Sequence, residues 1–294
     1  MRHRLGAAGL IPLAALWGSS FLFIGMAVPA LGSLGTAEAR AALGGLVAAG
    51  LVWLRARRIR FGQGLWRYTL LGLYASAAPY VLMSYATAQQ GASLTAIFFA
   101  TVPLFGVLIE LVWLHVRPAG RVVGGVVVGL VGVALVVGNA APGGGPRAMA
   151  AYAAALGAAF CSAMGGHYST RHFAAENAMT QTVGQSLTAA VLLLPFVLIS
   201  PPHAWLSFRQ WGAVLALGVL CTAVAYTLFF WLVARLGATR ALTVELLVPG
   251  FATLWGWLFL HEYVTVATLL GALAIVAGCA LVTRRPSPDP AALA

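Results

Sequence analysis

Residues 91–116 read GASLTAIFFATVPLFGVLIELVWLHV, and residues 237–262 read GATRALTVELLVPGFATLWGWLFLHE. At a shift of 146 residues, Gly91, Ala92, Pro103, Phe105, Leu114 and His115 fall on Gly237, Ala238, Pro249, Phe251, Leu260 and His261. The match extends without a gap from Gly72 to Val136. It adds Gly72 with Gly218, Ala77 with Ala223, Tyr80 with Tyr226, Gly125 with Gly271 and Gly132 with Gly278. Composition inflates Gly and Ala matches, but pairs of Tyr, Pro and His in one register mark a duplication. Both copies are apolar enough for lipid. Paired repeats with a substrate site at their interface are a common construction of secondary transporters.

The wider composition agrees. The 294 residues are 61% hydrophobic and 8% charged, with a mean hydropathy of +0.93, outside the range of soluble domains. The net charge of +11 raises the question of nucleic acid. All 17 basic residues are Arg, parcelled into short gaps between apolar runs rather than gathered on a polar surface, so no nucleic-acid partner is expected. Cys161, Cys221 and Cys279 lie inside apolar runs with neither metal nor disulfide spacing. No metal or cofactor is expected. Gly143-Gly144-Gly145 lacks the following Lys of a phosphate loop, and no nucleophile–base spacing occurs. Neither enzyme chemistry nor ATP is expected, which leaves an ion gradient or the substrate's own gradient to drive transport. The absence of Lys beside abundant Ala, Gly and Arg fits a GC-rich bacterial genome.

A membrane span needs about 20 apolar residues. Ten segments qualify: 8–28, 36–54, 67–88, 93–114, 120–138, 148–169, 179–199, 210–233, 240–260 and 264–283. Met1 to Val28 has a basic start and resembles a signal peptide, but its apolar run is longer than usual and its loss would leave the first repeat a helix short. It reads as the first span. With the N-terminus inside, every Arg except Arg40, Arg147 and Arg209 falls on the cytoplasmic side, a strong positive-inside bias. Five helices per repeat is odd, so the copies run in opposite directions. The reading is an all-α membrane protein of ten transmembrane helices in two inverted five-helix repeats, 1–139 and 148–285. A linker at 140–147 joins them, a disordered tail covers 286–294, and both termini are cytoplasmic.

Trp17 to Phe21 (Trp-Gly-Ser-Ser-Phe), an Arg early in the second helix (Arg40) and Pro103 and Pro249 in helices four and nine occur in this order. So does Gly237-Ala238 through Pro249 to Leu260-His261-Glu262, followed by the Gly271 and Gly278 helix. The pattern resembles the drug/metabolite transporter superfamily, EamA family, from about Leu10 to Thr283. Two positions depart from it. His261 stands where the family usually has Gly before the Glu, and the first repeat has His115-Val116 with no Glu. The resemblance implies a multi-pass carrier of the bacterial inner membrane, usually an exporter, with a central cavity between the halves. The aromatic candidates are most similar to YddG-type amino-acid exporters.

Ionisable groups inside a membrane are costly and are functional hypotheses by default. Phe99, Pro103, Gly106 and Glu110 share one helical face, and Glu245, Pro249, Ala252 and Gly256 share another. Glu245 and Glu110 suit cation attraction, amine binding or proton coupling; a partner such as Arg240, or snorkelling to the interface, is the plainer alternative. Pro103 and Pro249 in mid-helix would each remove a hydrogen bond, making a hinge, a cavity wall or an inert kink. Ser76, Tyr80, Ser84 and Thr87 line one face of the third helix, matched by Thr222, Tyr226 and Phe230 on the eighth. Tyr80 and Tyr226 read either as cavity lining or as a helix contact. Trp17 and Ser20, with His167 and Tyr168, extend the polar-aromatic lining, although a lone membrane His is more often a packing residue. Glu38 and Arg40, two residues apart, cannot share a face. They read as interfacial, or as closing the outer side.

The function these readings favour is export of small metabolites by alternating access, amino acids foremost and aromatic or large neutral ones among them. A multidrug or cationic-toxin exporter on the same scaffold is the alternative, favoured if Glu245 and Glu110 face one cavity. A non-transporting or enzymatic membrane protein is a third class.

Overall fold

Gly32 divides the first long helix. The computed structural model describes residues 2–54, 61–113, 119–139, 145–173, 176–200, 202–236 and 242–283. Helix α1 (Arg2–Leu54) has non-helical backbone angles at Gly32, φ 68° and ψ 176°. A positive φ of this kind is strained for any residue with a Cβ. Pro29 lies just before the break, the Thr36 hydroxyl donates to the Gly32 carbonyl at 2.7 Å, and the His203 N–H donates to the Ala30 carbonyl at 2.8 Å. Two helical arms meet there, one for each of the first two expected spans.

Helix α2 (Leu65–Gly72) runs through a π-helical segment (Leu73–Ala77) into α3 (Ala78–Gln90). Then come α4 (Ala92–Phe99), α5 (Val102–Trp113) and α6 (Gly120–Asn139). The second copy holds α7 (Pro146–His172), α8 (Ala178–Ile199) and α9 (Phe208–Gly218). A second π segment (Val219–Val224) leads into α10 (Ala225–Leu236); a 3₁₀ turn (Leu242–Leu246), α11 (Val248–Leu260) and α12 (Val266–Thr283) follow. No strand occurs among the described residues. The π segments begin on repeat mates, Leu73 and Val219, so the duplication extends to an irregularity of the backbone. In the second, the Thr222 hydroxyl donates to the Leu217 carbonyl at 2.9 Å, five residues back.

Six helical stretches are long and apolar enough to cross a membrane: 9–54, 92–112, 120–138, 146–172, 179–199 and 208–229. Val244–Leu260 and Val266–Val282 are shorter apolar helices. The chain is a multi-pass membrane protein.

Repeat mates α6 and α12 make the most extensive contact in the fold. A Cβ on Gly125 would lie 2.8 Å from the Gly278 carbonyl oxygen, and one on Gly132 would lie 2.7 Å from that of Gly271. The two helices therefore run antiparallel with their backbones touching. Small residues permit such approach, and van der Waals contact supplies the attraction in lipid. Each glycine meets the mate of the other, a two-fold relation between the repeats. Elsewhere α1 crosses into the second half to pack on α8, α9 and α11.

Much of the sequence evidence for orientation lies outside the described residues: Arg55, Arg57, Arg58, Arg60, Arg117, Arg240, Arg284, Arg285 and His115, most of the 140–147 linker, and the 286–294 tail. So do Gly237 and Ala238.

Candidate functional site

The second arm of α1 carries Arg40 to the tyrosine pair. Its guanidinium carbon lies 4.1 Å from the centre of the Tyr80 ring, and the residue is only 6% exposed. Its Nε and Nη1 have no hydrogen-bond partner, and among the described residues no carboxylate comes within 4.0 Å. Tyr226 is within electrostatic reach of Tyr80, Arg40 and Glu245. The repeat mates Tyr80 and Tyr226 thus come together, with a cation stacked on Tyr80 and an acid within electrostatic reach of Tyr226. Stacking on a desolvated ring returns about 2 kcal/mol, less than the several kcal/mol it costs to bury an ion.

Aromatic and small polar groups surround this centre. Trp17 meets Tyr226 edge-on at 5.9 Å between centroids and Phe229 at 5.4 Å. Ser19 Oγ is 3.5 Å from the Cys221 sulfur, and Ser20, 2% exposed, borders the same thiol. Ser76, one helical turn from Tyr80, is fully buried with an unpartnered hydroxyl. Ser84 is buried as well. Thr222 spends its hydroxyl on the Leu217 carbonyl at the end of α9. The Phe230 side chain lies outside the described residues.

Glu245 sits on the 3₁₀ turn and is partly buried. Among the described residues no hydrogen bond or ion pair reaches it. Its alternative partner Arg240 is outside them. The mate of Glu245 is Phe99, which packs edge-on against Phe21 at 6.1 Å.

Several sequence expectations change in detail. Pro103 and Pro249 are not kinks within continuous helices. Each lies in the first turn of a new helix, α5 or α11, where the missing N–H would have had no partner. Before Pro103 the chain turns at Ala100 and Thr101, and the Thr101 hydroxyl donates to the Phe98 carbonyl at 2.7 Å. The Cys279 thiol donates to the Ala100 carbonyl at 3.1 Å, satisfying an acceptor at the break.

Glu110 and His167 were separate candidates, yet they meet, with Nε2 3.5 Å from the carboxylate. His167 Nδ1 lies 3.0 Å from the Ala163 carbonyl, so both ring nitrogens face acceptors. Gly106, on the Glu110 face, lies against the same imidazole. Tyr168 sits apart from Trp17: its neighbours are His172 at 4.5 Å and Phe173 at 6.2 Å, in an aromatic group with Tyr68 and Phe61. Glu176 binds that group, accepting from the Tyr68 hydroxyl and from the Gly62 N–H at 3.2 Å. Arg40 is buried, while Glu38 is only partly buried and unpaired among the described residues.

Sequence reasoning missed Glu262. Its two oxygens accept from the N–H groups of Ala92 at 2.6 Å and Ser93 at 2.8 Å, capping α4 from the other repeat. A carboxylate there also complements the helix dipole. His261, just before it, takes the left-handed conformation (φ 54°), which explains why the family pattern has Gly at this position.

Duplicated apolar helices that meet at a buried polar centre define a membrane transporter rather than an enzyme. The chain belongs to the EamA-like transporter family, whose sequence profile matches it twice, over residues 4–138 and 149–284. It is 22% identical over 273 residues to the uncharacterized transporter YoaV of Bacillus subtilis (strain 168), covering 92% of this chain and 94% of that protein. It is 24% identical over 281 residues to a probable terminal-alkyne amino-acid exporter of Streptantibioticus cattleyicolor, covering 94% and 92%. A solved crystal structure of a protein shares the fold, with a TM-score of 0.67, 19% identity and coverage of 95% and 97%.

Proposed function

We propose that the chain exports amino acids, large neutral or aromatic ones foremost, from the cytoplasm across a bacterial inner membrane by alternating access between its halves. It crosses the membrane ten times with both termini inside. Stretch 9–54 has 46 residues, about 69 Å of helix at 1.5 Å per residue, enough for two crossings of a 30 Å core. Residues 65–90, the other five apolar stretches and the two shorter helices then supply the remaining eight. The antiparallel packing of α6 and α12 and the cytoplasmic excess of Arg support inversion. An ion gradient or the substrate's own gradient drives export, and ATP takes no part.

The observation that carries the reading is Glu245, a partly buried carboxylate next to Tyr226. Such a group holds a substrate ammonium, and the rings of Trp17, Tyr80, Tyr226 and Phe99 offer an apolar wall for the side chain. The amino-acid exporter among the relatives supports the substrate class. Export of cationic toxins would call for Glu110 and Glu245 in one cavity, and the 3.5 Å contact of Glu110 with His167 weighs against that. The test is a panel of radiolabelled amino acids in proteoliposomes. Large neutral amino acids are expected to move, and Glu245→Gln is expected to slow them while inserting normally. Transport of lipophilic cations with no movement of any amino acid would favour the toxin exporter.

A further inference from the structure

Arg40 is a charge in search of an anion. It is 6% exposed, and nitrogens on both carboxylate-binding edges of the guanidinium, Nε and Nη1, lack an acceptor. The Tyr80 ring, 4.1 Å away, covers one face and supplies no acceptor to the donor edges, which are buried and unpartnered. Protein interiors rarely leave such a cation unmatched, because an unpaired buried ion is strongly destabilising. Glu38, two residues along the same helix, forms no ion pair with it, and Glu245 lies more than 4.0 Å away. Among the described residues the positive charge has no counter-charge within 4.0 Å.

We propose that Arg40 is the carboxylate-recognition point of the transport site, binding the anionic end of a monocarboxylate substrate through its planar N–H donors. The guanidinium suits this role better than an ammonium, since it offers paired parallel donors and stacks on an aromatic ring. Tyr226 lies within electrostatic reach of both Arg40 and Glu245. Two separated opposite charges beside aromatic rings match an α-amino acid: carboxylate toward Arg40, ammonium toward Glu245. This assignment rests on the amino-acid reading above and extends it to the second charge. It also gives selectivity, because an amine without a carboxylate leaves Arg40 unmatched.

The test uses the full chain in lipid nanodiscs and measures binding of phenylalanine, phenethylamine and 3-phenylpropionate by calorimetry. The wild type is expected to prefer phenylalanine. Arg40→Gln is expected to weaken phenylalanine and 3-phenylpropionate by about 10-fold or more, the scale of a lost charge-assisted hydrogen bond, while phenethylamine changes little. Phenethylamine binding doubles as a check that the variant is folded. Should Arg40→Gln fail to insert, Arg40→Lys carries the test: it keeps the charge, loses the fork, and is expected to weaken only the two carboxylates, by several-fold. Equal weakening of all three ligands, or of none, overturns the assignment while leaving the amino-acid reading intact. Binding of 3-phenylpropionate but not phenylalanine, with Arg40 dependence, upholds it and removes the amino-acid reading. Binding of none of the three by the wild type removes both.

Discussion

Removing Glu262 should loosen the junction between the repeats at one end of the bundle. Its carboxylate accepts two backbone N–H groups, from Ala92 at 2.6 Å and Ser93 at 2.8 Å. Both residues are nearly inaccessible, at 0% and 2% exposure, so Glu262→Ala strands two buried donors. An unsatisfied buried donor costs about 1–3 kcal/mol, and the lost helix-terminus interaction adds about 0.5–1 kcal/mol. Glu262 itself is partly exposed, so water will reach part of the gap, and about 2–4 kcal/mol is a realistic total. Glu262→Gln keeps one acceptor and should cost about half as much. The assay is thermal melting of both variants in one detergent, followed by thiol labelling at Thr87→Cys. Thr87 is 4% exposed, and its carbonyl accepts from the Gly91 N–H at the same end. The expected order of melting is wild type, then Gln, then Ala, with faster labelling in the Ala background. Wild-type melting and labelling in Glu262→Ala would refute the view that this carboxylate ties the repeats together.

Three further outcomes follow from the geometry. Gly132→Val would push its side chain into the Gly271 backbone, 2.7 Å from the Cβ position, and should abolish monodisperse protein on size exclusion; Gly124→Val, where the space is open, should not. His261→Gly relieves a left-handed residue and should raise stability by about 0.5–1 kcal/mol, read as a higher melting temperature. Reporter fusions after Arg147 and at the C-terminus should report opposite sides of the membrane; the same side for both would end the inverted arrangement.

The duplication was legible because its signals are local and periodic. Helical runs, the matched tyrosines and the glycine register all survive translation by a constant shift, and the π segments and the α6–α12 contact follow it. The site was legible in part. Tyr80 and Tyr226 stand out as repeat mates through the 146-residue register. What the sequence leaves open depends on partners remote in sequence. Arg40 reads as interfacial or as closing the outer side, because a charge near the start of an apolar run normally marks a boundary. Its burial comes from packing against a helix some forty residues away. Glu262 looked like a loop acid, since nothing near it announces the helix it caps. Pro103 and Pro249 read as mid-helix breaks, hinges or kinks, since proline alone does not say whether a helix has ended just before it. Tyr168 followed His167 into the lining by adjacency, though consecutive helical residues point in different directions.

The paired π segments bear on how this protein came to be. A π segment holds a surplus residue in a helix, and it is rarely regular or stable without a reason. Here the surplus occurs at Leu73–Ala77 and again at Val219–Val224, a repeat length apart. Two independent insertions at one register are a poor explanation. The single-repeat ancestor already carried the bulge, and doubling the gene copied it. The matched segments have a geometric consequence: deleting one residue from either would turn everything beyond it by about 100°. Tyr80 or Tyr226 would then swing away from the other, so each copy of the gene holds the other to an ancestral length.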